Sequence, residues 1–287
     1  QRAARVEPAL VERRAEVPGV ADSGYRGDAT LYRIAPKNDK GLRPLYAPDD
    51  TMNAWPTIRT YLVFALLALV AVLALSLMDP PYPHPSQAES LRLQAFVPVV
   101  ALGCLGAWLF GNIGLAIQPQ GWPAWRNRAA KDIAIGLAFG LVAALLDWTF
   151  GVSSLVAKEL GVASIHMALP YSALAYLAGA VAVETLYRLV PISLAVWLVS
   201  KMRPHGRATI TAFWIVAVLT SFIEPVSQTA FLASQPVTLL SLGLFIFIFN
   251  MTGAWLLMRH GVASPLFMRL AFYAVWHVAL GPAIAST

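Results

Sequence analysis

Seven long apolar segments dominate this sequence. The first includes residues 61–77, where no charged side chain occurs over 17 positions. A helix that crosses the hydrocarbon core of a bilayer needs about 20 mostly apolar residues. The seven segments are 57–78, 93–117, 130–151, 172–200, 208–231, 237–258 and 263–285. They predict an all-α fold, a polytopic transmembrane helix bundle of about seven spans that occupies residues 56–287 and lies in a lipid bilayer.

The overall composition excludes a free globular protein. Of the 287 residues, 58% are hydrophobic and 13% are charged, whereas a soluble domain carries about 25% charged residues. Cys104 is the single cysteine, which excludes an intramolecular disulfide framework and a cysteine-based metal cluster. Because Cys104 lies within an apolar run, we interpret it as a packing residue.

Residues 1–55 form a polar amino-terminal region of different character. This region mixes Arg, Glu, Asp, Pro and Gly and contains turn signals such as Pro18-Gly19. Nothing in it supports an independent core. We predict an extended cytoplasmic arm that becomes ordered only when a partner covers it, and other membrane subunits are the expected partners.

Basic residues predict the orientation of the chain. The formal charge is +6, and Lys and Arg gather in the arm and at alternate segment ends. By the positive-inside rule this alternation places the amino terminus in the cytoplasm and the carboxyl terminus outside. We expect an integral protein of the bacterial cytoplasmic (inner) membrane. No aromatic-rich basic stretch suits base stacking, so nucleic acid is not an expected partner.

The fourth segment contains an acid and a base where neither is expected. Glu184 and Arg188 are four positions apart, so they share one helical face. An ionisable residue inside a membrane is costly and is therefore a candidate for function. One interpretation is a mutually neutralising pair that tolerates burial. The other is that Glu184 activates a water molecule while Arg188 holds it in position and ionised.

Segments three and five also contain ionisable residues. Asp147 stands near the end of segment three beside Trp148, and we interpret it as a solvated interfacial residue. In segment five Glu224 and Gln228 share a face, and Pro225 between them should kink or end the helix.

A polar stripe marks the seventh segment, because Arg269, Tyr273 and His277 follow one another at intervals of four. At 1.5 Å per residue, Glu184, Tyr273 and His277 are predicted to lie at similar depth. Glu224 is predicted to lie somewhat nearer the outer face. We expect these side chains, together with Gln228 and Arg269, to converge in the bundle interior. A hydrogen-bonded core residue is the preferred interpretation of His277, and a metal ligand is the alternative.

The order of these motifs resembles a known family. Residues 182–188 read Ala-Val-Glu-Thr-Leu-Tyr-Arg, which is similar to the first motif of the CAAX protease and bacteriocin-processing (CPBP, or Abi) family of intramembrane proteins. That motif is a Glu pair, three residues and then Arg. Glu184 and Arg188 match it, while Val183 replaces the first Glu. The resemblance covers about residues 130–285.

The other two family motifs are degenerate here. Where the second motif has Phe, three residues and His, this chain has Glu224 and Gln228. The third motif is His, three residues and Asn after a short Gly turn and a Pro, and residues 258–265 resemble that turn. Arg269 then occupies the His position and Tyr273 the Asn position, with His277 one turn later.

Three functional hypotheses follow from the residues and the resemblance. The preferred one is a non-catalytic CPBP-like protein, a pseudoenzyme that acts as an accessory or scaffold subunit of a membrane complex and needs no cofactor. The second is a diverged intramembrane CAAX-type endopeptidase that uses Glu184 to activate water, with Arg188 and His277 in its site. The resemblance implies a divalent metal such as zinc only for this second hypothesis. The third is a small transporter with a polar central pathway.

Overall fold

The computed structural model describes residues 54–113, 122–202, 207–229 and 236–281. These ranges are helical and contain no β-strand. The predicted polar arm, except its last two residues, lies outside the described residues.

Eleven α-helices and two π-helical segments occur within the described ranges. The α-helices are α1 (Trp55–Met78), α2 (Pro85–Ser90), α3 (Leu93–Ile113), α4 (Trp122–Phe150), α5 (Val152–Leu160), α6 (Tyr171–Glu184), α7 (Val190–Met202), α8 (Arg207–Ser221), α9 (Ile223–Thr229), α10 (Pro236–His260) and α11 (Ala263–Tyr273). The π-helical segments are Thr185–Leu189, which joins α6 to α7, and Ala274–Leu280, which continues α11.

Seven stretches of the described chain are long and apolar enough to cross a membrane. Numbered as spans one to seven, they are Trp55–Met78, Leu93–Ile113, Pro123–Phe150, Tyr171–Met202, Arg207–Ser227, Pro236–His260 and Ala263–Leu280. The predicted helical membrane bundle of seven spans is confirmed. The largest difference in a boundary is at span three, which begins at Pro123 instead of residue 130. The helix continues through a basic turn, since long basic side chains can keep their charges in water while their stems pack on the helix.

Span four changes from an α-helix to a π-helix at its centre. Pro191 has no N–H to donate to the carbonyl of Tyr187, and its ring would collide with that carbonyl in a regular α-helix. The N–H of Val190 instead reaches back five residues to the carbonyl of Thr185, which is the π-helical pattern. Glu184 ends α6 immediately before this segment, and Arg188 lies within it.

Span five breaks where its proline predicts. The helix α8 ends at Ser221 and α9 begins at Ile223. Pro225 lacks the N–H that would bond the carbonyl of Ser221, four residues earlier. The predicted interruption of the helix is confirmed, and Glu224, at the start of α9, is buried.

Span seven is the most buried span of the bundle. It packs against α4, α6 and α10. Gly136 and Gly140 make the contact with α4 close. A Cβ atom at Gly136 would lie 2.0 Å from the carbonyl oxygen of Met268, and one at Gly140 would lie 2.7 Å from the Cβ of Val275. Small residues at this spacing let membrane helices approach closely, and the polar stripe of span seven is therefore enclosed.

Candidate functional site

Ionisable and amide side chains from spans four to seven meet in the bundle interior. The group, called the central network below, consists of Glu184, Arg188, Glu224, Asn250, Arg269 and Tyr273. All except Tyr273 are buried. The network lies beside the π-helical segment of span four, and such segments occur frequently at functional sites.

Arg269 is the hub of the central network and is only 1% exposed. Its Nη1 and Nη2 atoms donate to the two carboxylate oxygens of Glu224, each at 2.9 Å. Its Nε donates to Oε1 of Glu184 at 2.6 Å, and Nη2 also donates to Oδ1 of Asn250 at 2.8 Å. The guanidinium packs over the ring of Phe249, 4.9 Å from its centroid. Arg269 therefore links spans five, six and seven to Glu184 on span four.

Both carboxylate oxygens of Glu184 are held by guanidinium groups. Oε2 accepts from Nη1 of Arg188 and Oε1 accepts from Nε of Arg269. The predicted pair of Glu184 and Arg188 is confirmed, and Arg269 joins it. Two carboxylates and two guanidinium groups give the network a formal charge of zero, which is the condition under which buried charges are tolerated.

Arg188 reaches α10 because a glycine makes room for it. Its Nη2 donates to the backbone carbonyl of Asn250 at 2.9 Å and to Oδ1 of the same residue at 2.8 Å. A Cβ atom at Gly253 would lie 2.7 Å from Cζ of Arg188. The guanidinium therefore lies directly on the backbone of α10, and the amide oxygen of Asn250 bridges Arg188 to Arg269.

Little free space remains beside Glu184. A cavity lined by Tyr61, Glu184, Thr185 and Arg188 has a volume of about 10 Å³. A single water molecule needs about 10–15 Å³. This cavity thus has room for one water molecule at most.

A second polar cluster lies next to the central network and is called the histidine cluster. It consists of Asp147, Ser153, His166, Trp276 and His277. Oδ1 of Asp147 accepts from the backbone N–H of Ser153 at 2.6 Å, and Oδ2 accepts from the hydroxyl of Ser153 and, at 3.1 Å, from Nε1 of Trp276. Asp147 therefore has donors on both oxygens.

The two histidines extend this cluster towards span seven. Oγ of Ser153 lies 2.7 Å from Nε2 of His166, and Nδ1 of His166 lies 3.2 Å from Nδ1 of His277. One arrangement of protons satisfies every contact: His277 donates to His166, His166 donates to Ser153, and Ser153 donates to Asp147.

The interpretation of Asp147 as a solvated residue is wrong. Asp147 is 1% exposed, whereas its neighbour Trp148 is 74% exposed. The helix turns Trp148 outward and Asp147 inward, towards Ser153 at the start of α5. Ser153, which the sequence placed in a connection, and Trp276 of span seven thus satisfy the carboxylate, and that folded-back connection was not predicted.

The expected convergence is confirmed for most of the predicted residues. Glu184, Glu224, Arg269 and Tyr273 all belong to the central network. His277 lies just beyond it, with its ring 5.3 Å from that of Tyr273. His277 is half-buried, contacts His166 and stacks on Tyr176 at 4.2 Å between centroids, so the prediction that it is hydrogen-bonded is confirmed. The side chain of Gln228 lies outside the described part of the chain.

Sequence reasoning missed Asn250, Ser153 and His166. Asn250 had a usable signal, because an amide in the middle of the apolar segment 237–258 needs a hydrogen-bond partner. Ser153 and His166 stand in the connection between spans three and four, where polar residues are ordinary. Only the packing of that connection makes them part of a buried cluster.

The central network does not suit a divalent metal. Zinc is bound in proteins by thiolate, imidazole and carboxylate groups. Glu184 is instead bound to two guanidinium groups, and these would repel a further cation. Arg269 stands where the resemblance would place a histidine. Within the described ranges, no group of three or more His, Cys, Asp or Glu side chains is placed to hold a metal ion.

Comparison of the chain with protein-family models, with curated proteins and with solved structures finds no match. The resemblance to the CPBP family therefore stays a prediction that rests on the residues quoted above.

Proposed function

We propose that this chain is a non-catalytic, CPBP-like integral membrane protein that acts as an accessory or scaffold subunit of a membrane complex. The observation that carries the proposal is the closed central network, in which both oxygens of Glu184 are bound to guanidinium groups. A structural core of this kind holds four spans together without exposing a reactive group.

The bonding of Glu184 argues against the endopeptidase hypothesis. A general base must lie within hydrogen-bond reach of the proton that it removes. Both carboxylate oxygens of Glu184 already accept hydrogen bonds from guanidinium groups, and the cavity beside them has a volume of about 10 Å³. His277, the proposed replacement for a motif histidine, contacts His166 instead of Glu184.

The polar arm supports the accessory-subunit part of the proposal. Residues 1–55 lack the apolar content for a core of their own. A partner subunit at the cytoplasmic surface would supply the surface that this arm needs. This assignment places the protein in the bacterial cytoplasmic membrane with the arm inside.

Two measurements on the full chain test the proposal. A photo-crosslinking amino acid at Gly24 should join the arm to a membrane subunit that also comigrates with the protein in native gels of mild-detergent extracts. The purified protein should cleave neither a prenylated CAAX peptide nor a membrane-embedded peptide.

The charge-balanced variant Glu184→Gln/Arg188→Met is the matched control for these assays. It should keep the crosslink and the comigration, because the arm is unchanged. Peptide cleavage by the wild type that is lost in Glu184→Gln, while folding is retained, would favour the endopeptidase hypothesis over the scaffold hypothesis. The absence of any comigrating subunit would contradict the scaffold role.

A further inference from the structure

A cavity of about 140 Å³ lies between spans three, six and seven, away from the central network. Its wall is mainly apolar, and the residues that shape it include Ala143, Leu146, Phe150, Leu242, Phe245 and Trp276. Its volume is close to that of an apolar cavity of about 150 Å³ that stays dry and takes up benzene. The space therefore suits a hydrocarbon group.

Two polar side chains in this wall, those of Ser241 and Trp276, already have partners. The hydroxyl of Ser241 donates to the carbonyl of Val237 at 2.8 Å. Nε1 of Trp276 donates to Asp147 at 3.1 Å. A water molecule needs two to four polar partners to occupy a cavity, so neither side chain attracts water into this one.

The mouth of the cavity opens among lipid-facing side chains. Phe150 and Val237, which contribute to the wall, are 67% and 79% exposed. They stand at the end of α4 and the start of α10, so the cavity begins near one edge of the membrane. In a bilayer, hydrocarbon chains surround this mouth.

The cavity also has the depth of one leaflet. Thr238, Ser241, Leu242 and Phe245 line it at intervals of three and four, so they form one face of α10. From Val237 to Phe245 the helix rises about 12 Å at 1.5 Å per residue. One leaflet contributes about 15 Å of the roughly 30 Å hydrocarbon core. A chain parallel to the helices matches this shape better than a compact solute.

We propose that this cavity binds an acyl chain of a membrane lipid. The bound chain would enter between Phe150 and Val237 and lie along α10. It would contact the ring of Trp276, whose N–H holds Asp147 of the histidine cluster. This inference does not depend on the proposed function.

Photolabelling of the full chain tests the site. The protein is reconstituted in phosphatidylcholine vesicles that contain a minor fraction of the same lipid with a diazirine on one acyl chain. After irradiation, labelled residues are identified by mass spectrometry. We expect labelling of Leu242 and Trp276 well above that of Leu66 and Val70, two exposed residues of α1 that report ordinary surrounding lipid.

Filling the cavity should remove the excess labelling of Leu242 and Trp276. Ala143 is buried in the wall, and Ala143→Leu places a larger side chain in the space. Labelling of Leu242 should then fall to the level seen at Leu66. Leu145→Phe is the matched control. Leu145 is exposed on the lipid-facing side of the same helix, so a larger side chain there should leave the excess labelling of Leu242 unchanged.

A second cavity-filling variant and a second photolabel distinguish the remaining outcomes. If Ala143→Leu fails to fold, Ser241→Leu fills the cavity from α10. Equal labelling in the wild type and the filled variants would overturn the proposal. So would labelling of the cavity by a free diazirine-substituted benzene with no excess labelling by the lipid, because the occupant would then be a small apolar solute.

Discussion

At the scale of single residues, the most unusual feature is a fully buried arginine in a membrane protein. A charged group at the centre of a membrane helix costs several kcal/mol unless partners compensate it. Arg269 donates to Glu184, Glu224 and Asn250. Its charge is balanced within the network, and its donors match planar carboxylates in the way that favours arginine over lysine.

The charge balance predicts how substitutions in the network combine. Glu184→Gln alone leaves an unmatched positive charge, and Arg188→Met alone leaves an unmatched negative charge. Removing one partner of a buried pair typically costs about 3–5 kcal/mol. We expect Glu184→Gln/Arg188→Met to be less destabilising than either single variant, because Arg269 and Glu224 remain as a neutral bidentate pair.

Thermal unfolding in mild detergent measures this difference. The two single variants serve as controls for the double variant. If the stability lost in the double variant equals the sum of the stabilities lost in the two single variants, Glu184 and Arg188 contribute independently. The paired network would then be the wrong description.

At the scale of helices, close packing between spans three and seven determines where the polar stripe lies. Gly136 and Gly140 are four positions apart and face Met268 and Val275. Their missing side chains let α4 approach the backbone of α11. A wider separation would pull Arg269 away from its partners on the other spans.

Substitution of Gly136 tests this contact. A Cβ atom there would lie 2.0 Å from the carbonyl oxygen of Met268, which is backbone and cannot move aside. We expect Gly136→Ala to lower the stability by about 1–3 kcal/mol, the usual cost of overpacking a core, as measured by thermal unfolding.

Gly179→Ala is the matched control for that experiment. Gly179 lies in α6, and no heavy atom would contact a Cβ atom there within 4 Å. Alanine is favoured over glycine in a helix by about 1 kcal/mol, so this variant should be neutral or slightly stabilised. Equal losses in both variants would mean that the packing of spans three and seven is not specific to Gly136.

At the scale of the whole molecule, an odd number of spans predicts that the two termini lie on opposite sides of a membrane. The distribution of Lys and Arg predicts which side each terminus occupies. The basic residues in the first turns of span three, among them Arg126 and Lys131, would lie at the cytoplasmic end in this orientation. The connection that contains α2 would lie outside.

Cysteine labelling tests the orientation. In a Cys104→Ala background, Gly24→Cys should react only after the membrane is made permeable. Ser286→Cys and Ser86→Cys should react with an impermeant maleimide in intact cells. Reaction of Gly24→Cys and Ser286→Cys from the same side would contradict the seven-span topology, and a complete reversal would contradict the charge argument alone.

Local sequence properties account for most of the fold prediction. A run such as 61–77 specifies a helix by its length and lack of charge, and Pro225 specifies a break by its missing N–H. The pairing of Glu184 with Arg188 is equally local, because a single helical turn separates them. The depth argument placed Glu184, Tyr273 and His277 at a similar level in the membrane, though it named no contacts.

What the sequence by itself determined is thus the seven spans, the break in span five and the polar composition of span seven. Only the tertiary structure decided the partners, because Arg269 bonds to residues 45 and 85 positions away. The burial of Asp147 required the connection after span three to fold back, and no periodicity in the sequence encodes that fold. Side chains at compatible depths form hydrogen bonds only when their helices lie close enough together, and contacts between residues distant in the sequence set that spacing.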